Sequence, residues 1–319
     1  MRPSATTGSI HRIASARFEP LAYPADPDIL SRNLSFSFSS VLQASGYRFE
    51  ERPSPTPRLE RPESASAPTR YALRSARSGY DGYFEFIPSG PHVVQPPAVL
   101  VFLHGLGERG NGDSELTRLL RNGPPRLIQD GEWPGQNSVA VFAPQNPGPE
   151  RCHRPERLRR FIDDIRERYA DRVDTSHIVL AGYSCGAHAG WNYLAHYHED
   201  LDVVGLLLVS GSPLRNEEGA QPQPGETTAL QRLAQRQQSD LVPIRIAFDE
   251  QDTVVSPETS FPEAELRRAN IGVWVDRLHG YGHGTSTPYF ARPELVPWIL
   301  DPIDRSPNPL LARDRLSRP

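Results

Sequence analysis

Apolar positions along the chain fall into short unbroken runs, separated by polar stretches with helical spacing. The runs are YFEFI (83–87), AVLVFLH (98–104), SVAVFAP (138–144), HIVLAGY (177–183), VVGLLLVS (203–210), PIRIAF (243–248) and IGVWVDRL (271–278). Several of them lack the alternation of a strand with one wet face. Continuous runs of this length suit strands covered on both sides, as in a parallel sheet. Between them, residues 156–170 place Leu158, Phe161, Ile162, Ile165 and Tyr169 at steps of three and four, which predicts one apolar helix face. Further helices are predicted over 229–238, over 293–300, and over 257–270, where Ser256 can cap, Pro257 can occupy the first turn and Pro262 interrupts. This alternation predicts an α/β fold: a mostly parallel, doubly wound sheet with helices on both faces.

Outside that block the pattern changes. Residues 1–68 read as an extension and linker, because RPSPTPRLERPESASAPTR (52–70) is rich in Pro and has nothing apolar to fold over. Residues 69–303 read as the folded domain and 304–319 as a polar tail. NLSFSFSSV (33–41) alternates Leu34, Phe36 and Phe38 against serines; a short strand and an unstructured segment both fit.

Charge narrows the partners. The chain carries 35 basic and 39 acidic residues, a net −4, and every basic residue is Arg. Stretches such as ERLRRFIDDIRERYADR (156–172) interleave both signs. That is a solvated helix face, not a phosphate-binding stripe, so no nucleic-acid partner is expected. No run reaches the ~18–20 apolar residues of a membrane span. The N-terminus lacks the apolar centre of a secretory signal, and Arg2, Arg12 and Arg17 precede the first acid, Glu19. A cytoplasmic location is expected; an organelle transit peptide is the alternative. Cys152 and Cys185 are too few for a disulfide framework. A single bridge is the weaker reading, and Cys185 is expected to be a buried, inert thiol.

FLHGLGERGNG (102–112) contains G-x-G-x-x-G directly after an apolar run. A dinucleotide fingerprint needs a helix straight after its third glycine and an acid at the tip of a second strand ~20 residues on. Here the third glycine runs into a turn, and PPRLIQDGEW follows where the strand should be. A strand ending in His104-Gly105 and a loop through Gly107 suits a different role, in which the Leu106 N–H is lent to an oxyanion site.

The second donor of such a site follows a nucleophile. Gly182-Tyr183-Ser184-Cys185-Gly186 is G-x-S-x-G between a predicted strand and a predicted helix. Glycines two before and two after the serine permit a turn sharp enough to lift Ser184 Oγ clear of the sheet, with the Cys185 N–H beside it. Downstream come an acid and then histidines, each after a predicted strand. The acid candidates are Asp249, Glu250 and Asp252; Asp252 is favoured because its loop can reach across. His283, flanked by Gly282 and Gly284, is favoured as the base over His279, which closes a strand. His196 and His198 point apart on a helix, His153, His177 and His188 lack ligand-spaced partners, and no metal or other cofactor is expected.

The pieces VFLHGLGERGNG, VFAPQNP (141–147), GYSCG, DTVV and GYGHG resemble the α/β-hydrolase superfamily over about residues 70–301. Within it they look most like the branch of predicted peptidases and carboxylesterases related to feruloyl esterases and polyhydroxybutyrate depolymerases. The resemblance implies a Ser184, Asp252 and His283 triad with an oxyanion loop after His104-Gly105. The insertion at 214–241 is too short for a large cap domain, so a small or chain-end ester is the expected substrate of a serine esterase. A serine peptidase is the alternative. A non-catalytic binding protein and a nucleotide-binding oxidoreductase fit less well.

Overall fold

A computed structural model describes residues 70–75, 82–93, 96–148, 150–235 and 242–302. The extension over 1–68, the segment 33–41 and the tail 304–319 lie outside the described residues. In chain order the elements are β1 (Tyr71–Arg74), β2 (Tyr83–Phe86), β3 (Ala98–Leu103), 3-10 turns at Leu106–Glu108 and Leu116–Arg121, α1 (Gly123–Asp130), β4 (Val139–Pro144), α2 (Pro155–Arg168), β5 (Asp174–Tyr183), α3 (Cys185–Tyr197), β6 (Gly205–Val209), α4 (Ala229–Ala234), β7 (Ile244–Asp249), α5 (Pro257–Ser260), α6 (Glu263–Arg268), β8 (Trp274–Leu278), α7 (Ser286–Phe290) and α8 (Leu295–Leu300).

The strands form one eight-stranded sheet in the order β1-β2-β4-β3-β5-β6-β7-β8. Strand β2 runs antiparallel to β1 and β4, and every pair from β4 to β8 is parallel. The unbroken apolar runs follow from burial on both faces. In β3, Val99, Val101 and Leu103 join Phe161 and Ile162 of α2 and Trp191 of α3 in one core. Leu100 and Phe102 join Leu127 of α1 and Trp298 of α8 in the other. Chain order reverses at β3, whose neighbours are β4 on one side and β5 on the other. The crevice outside the carboxyl ends of β3 and β5 is therefore where an open α/β sheet holds its site.

The structure departs from the sequence pattern in three places. The edge strand β1 is only four residues long and half-buried, too little for a pattern; Arg74 ties it to β2 through Glu85, at 2.8 and 3.0 Å. The helix expected over 257–270 is two, because Pro262 ends the first and precedes the second. Ser256 precedes α5, but its side chain makes no bond to the helix backbone.

The far edge is held by a polar cluster. Arg245 of β7 donates to Asp276 of β8 at 2.6 and 3.0 Å, and the Tyr289 hydroxyl of α7 adds a third bond at 2.5 Å. The Arg245 and Asp276 side chains are 16% and 17% exposed. Asp276→Ala leaves a largely buried guanidinium alone, and a loss of about 2–4 kcal/mol is expected in urea melts at neutral pH. Burial pushes the Asp276 carboxyl up, but the bonds from Arg245 and Tyr289 outweigh it and hold the group below its ordinary value. A depressed carboxylate stabilises the fold above its unfolded pKa of about 3.9 and loses that contribution as pH falls through the folded value. The gap between wild type and Asp276→Ala therefore closes below about pH 4.

Candidate active site

Strand β5 ends at Tyr183 and helix α3 starts at Cys185, so Ser184 alone makes the turn, at φ 53° and ψ −113°. This is a region that non-glycine residues rarely occupy. Its amide donates to Val209 O at 2.8 Å, and its carbonyl receives the His188 amide at 3.0 Å. The flanking glycines are steric necessities. A Cβ on Gly182 would lie 2.4 Å from the Gly186 carbonyl carbon, and one on Gly186 would lie 2.0 Å from Leu103 O.

Two loops from the far half of the sheet converge on this serine. Ser184 Oγ is 2.9 Å from His283 Nε2, and His283 Nδ1 is 2.8 Å from Asp252 Oδ2. Asp252 is fully buried and His283 is 23% exposed at its side chain. The other Asp252 oxygen accepts the amides of Val254 and Val255 at 2.8 and 3.0 Å. An acceptor-only carboxylate facing Nδ1 makes that atom the N–H donor, leaving the Nε2 lone pair for the serine hydroxyl.

Asp249 does not touch the imidazole. Its oxygens accept the amides of Gln251 and Tyr281, at 2.8 and 2.9 Å, which fastens the His283 loop to the end of β7. The Tyr183 hydroxyl adds a second anchor, donating to His283 O at 2.5 Å. His279 is 70% exposed, beside Glu250.

The loop after β3 faces Ser184 from the other side. His104 is buried, which pushes its pKa down to about 4. Its Nε2 accepts the Asn146 amide at 2.9 Å, so Nδ1 carries the proton and donates to Gly105 O at 2.6 Å. Gln145 Nε2 donates to Glu108 O and Glu115 O, at 3.0 and 2.9 Å, and Gln145 Oε1 accepts the Gly112 amide. Sequence reasoning used APQNP only as part of a resemblance; two polar residues closing an apolar strand were the available sign of this bracing role. Leu106 opens a 3-10 turn and Cys185 opens α3, so neither N–H has an acceptor within its own helix. Gly107 carries less constraint than its neighbours: a Cβ there meets nothing within 4 Å.

Cys185 is not a thiol. It forms a disulfide with Cys152, with Cα atoms 5.3 Å apart. The bridge joins the residue after Ser184 to the loop that leaves β4, a pairing across 33 positions that only the fold brings together. Around it lies a cavity of about 400 Å³ lined by Leu106, Glu108, Arg151, Ser184, Cys185, Arg215 and His283, among others. Burial pushes the Glu108 carboxyl up, against the Asn122 amide at its Oε1. Among the described residues no cluster of His, Cys, Asp and Glu is arranged to hold a metal ion, and no helix is long and apolar enough to cross a membrane.

With this geometry in hand, comparison with known proteins identifies the wider group. A family model described as "Alpha/beta hydrolase family" matches residues 100–319. No curated protein matches the sequence. Among solved structures, an acetyl xylan esterase from Aspergillus awamori is 13% identical, over 72% of this chain and 98% of that one, with a TM-score of 0.51. A bifunctional GH43-CE protein from Bacteroides eggerthii is 14% identical over 74% of this chain, with a TM-score of 0.51. A thermostable esterase is 19% identical over 69% of this chain, with a TM-score of 0.45. This chain spans 38% of the bifunctional protein and 58% of the thermostable esterase. At these identities the likeness is one of fold.

Proposed function

The chain belongs to the alpha/beta hydrolase family, and on that premise we propose that it is a serine hydrolase that cleaves carboxylic esters through an acyl-enzyme. One observation carries the reading: the unbroken relay from Ser184 Oγ through the His283 ring to Asp252, at 2.9 and 2.8 Å. Ser184 attacks the ester carbonyl while His283 Nε2 takes its proton. Asp252 holds the imidazole in the tautomer that can do so and stabilises the imidazolium. The N–H groups of Leu106 and Cys185 receive the developing oxyanion. His283 then returns the proton to the leaving alcohol, and water releases the acid by the same relay in reverse. A compact cavity of about 400 Å³ favours a small ester or a chain end. The Cys152–Cys185 bridge supports an oxidising compartment over the cytoplasmic one expected from the sequence.

The test pairs labelling with a substrate series. A fluorophosphonate probe is expected to modify Ser184 alone. p-Nitrophenyl esters of short acids are expected to turn over far faster than a peptide p-nitroanilide. Labelling at another residue removes the mechanism. Faster cleavage of the amide replaces the esterase with a peptidase on the same machinery.

A further inference from the structure

The cavity beside Ser184 contains two cationic side chains for which the ester chemistry has no use. Arg151 and Arg215 both line it. Neither guanidinium makes a hydrogen bond or ion pair among the described residues, although most other arginines of the domain are paired. No carboxylate among the described residues pairs with either of them, although Glu108 lines the same cavity. The Glu108 carboxyl is bonded to Asn122, and the cation acting on it is Arg121. Glu150 is shared by Arg154 and Arg157. Asp252 is committed to His283 and two backbone amides. His188, which also lines the cavity, is buried and accepts the Ser212 amide at Nδ1; its pKa is pushed down to about 4, so it stays neutral and adds no third cation.

The backbones that carry the two arginines are held in place, while the Arg151 side chain is exposed and that of Arg215 partly so. Arg151 directly precedes Cys152, so the disulfide ties its backbone to the nucleophile elbow. Arg215 lies in the loop after β6, which packs on the same bridge. A Cβ on Gly219 (φ +74°) would lie 2.4 Å from Cys152 Sγ, so only glycine allows that approach. Asn216 braces the loop from within: its Oδ1 accepts the amides of Glu218 and Ala220 at 3.1 and 2.9 Å, and Asn192 Nδ2 reaches its carbonyl at 3.1 Å. Burial and the like charge of Arg151 both weaken the hold of Arg215 on its proton. Two unpaired like charges lining one cavity disfavour each other until an anion lies between them.

We propose that Arg151 and Arg215 form an anion subsite beside Ser184, and that the substrate is an ester carrying a carboxylate a few bonds from its scissile carbonyl. The subsite deepens the esterase reading and rests on it for the word "substrate", but its binding chemistry is measurable without turnover. Guanidinium groups present planar donor pairs that match a carboxylate. The carboxylate can belong to the acyl part or to the alcohol part, and the probes separate the two.

The experiment uses the full chain with Ser184→Ala, which binds esters without reacting. Monomethyl succinate and dimethyl succinate form the acyl-side pair; 4-acetoxybenzoate and its methyl ester form the alcohol-side pair. Calorimetric titration is expected to show one monoanion bound about tenfold or more tighter than its neutral partner at low salt. The preference should shrink between roughly 0.02 M and 0.5 M salt, because the pair is partly open to solvent. It should fall toward unity when Arg151→Gln or Arg215→Gln is added. Equal binding of charged and neutral partners in both pairs overturns the proposal, as does a charge preference that survives both arginine substitutions. Hydrolysis of p-nitrophenyl acetate by the unmodified chain is measured separately. If that activity is absent while charge-selective binding persists, the esterase reading fails and the subsite stands.

Discussion

Ser184→Ala is expected to lower kcat for a p-nitrophenyl ester by about 10⁴–10⁶, and His283→Ala by nearly as much. The equality follows from the relay. Without His283 the hydroxyl at Ser184 has no acceptor for its proton, since the imidazole Nε2 at 2.9 Å is its hydrogen-bond partner. Without Ser184 the imidazole has nothing to activate. Each loss therefore removes the same step, and the double variant should cost little more than either single one. Under the proposed mechanism the residual rate is expected to reflect binding and the Leu106 and Cys185 donors, which both variants keep. Both substitutions shorten side chains at the cavity wall, so circular dichroism and thermal melts should match the parent. Retention of a tenth or more of the parent kcat in either folded variant would remove that residue from the mechanism. His279→Ala is the internal control. It is 70% exposed beside Glu250 and should change kcat by less than about twofold.

Legibility in the sequence followed how local the constraint was. The elbow could be read because its requirement is written within five residues: a Cβ at 182 or 186 would lie 2.4 or 2.0 Å from backbone atoms. The parallel strands could be read because both faces of β3 and of residues 178–183 of β5 are buried, which leaves an unbroken apolar run. Features set by long-range return of the chain could not. The Cys152–Cys185 bridge depends on the loop after β4 folding back over the elbow. Gln145 and Asn146 acquire their roles only when the β3 and β4 loops lie side by side. The convergence of Arg151 and Arg215 has no sequence signature, because each is an ordinary arginine until the bridge and Gly219 bring their loops together. The short β1 carries too few residues for a period to emerge.

The acids Asp249 and Asp252 sit three residues apart, both buried, and sequence could rank but not separate them. Their partners separate them in rate and stability. Asp252→Asn places an amide where the His283 Nδ1–H now finds a carboxylate at 2.8 Å. An amide nitrogen facing the ring favours the tautomer with its proton on Nε2, which cannot accept from Ser184, and an amide oxygen stabilises imidazolium far less. The expected loss in kcat is about 10³–10⁴, with little change in KM. Asp249→Asn acts elsewhere. Its carboxylate accepts the Tyr281 and Gln251 amides, and burial pushes its pKa up while those backbone bonds pull it below the ordinary value. An asparagine keeps one acceptor and turns an NH₂ toward the other amide. That loosens the loop carrying His283 and should cost about 1–3 kcal/mol of stability, with a fall in kcat of only about 10–100-fold. The two variants therefore exchange order between the assays: Asp252→Asn is worse in kcat, Asp249→Asn worse in the melt. If Asp249→Asn is the more damaging in kcat while melting like the parent, Asp249 is the residue that orients the base, and the contact between Asp252 and His283 is structural.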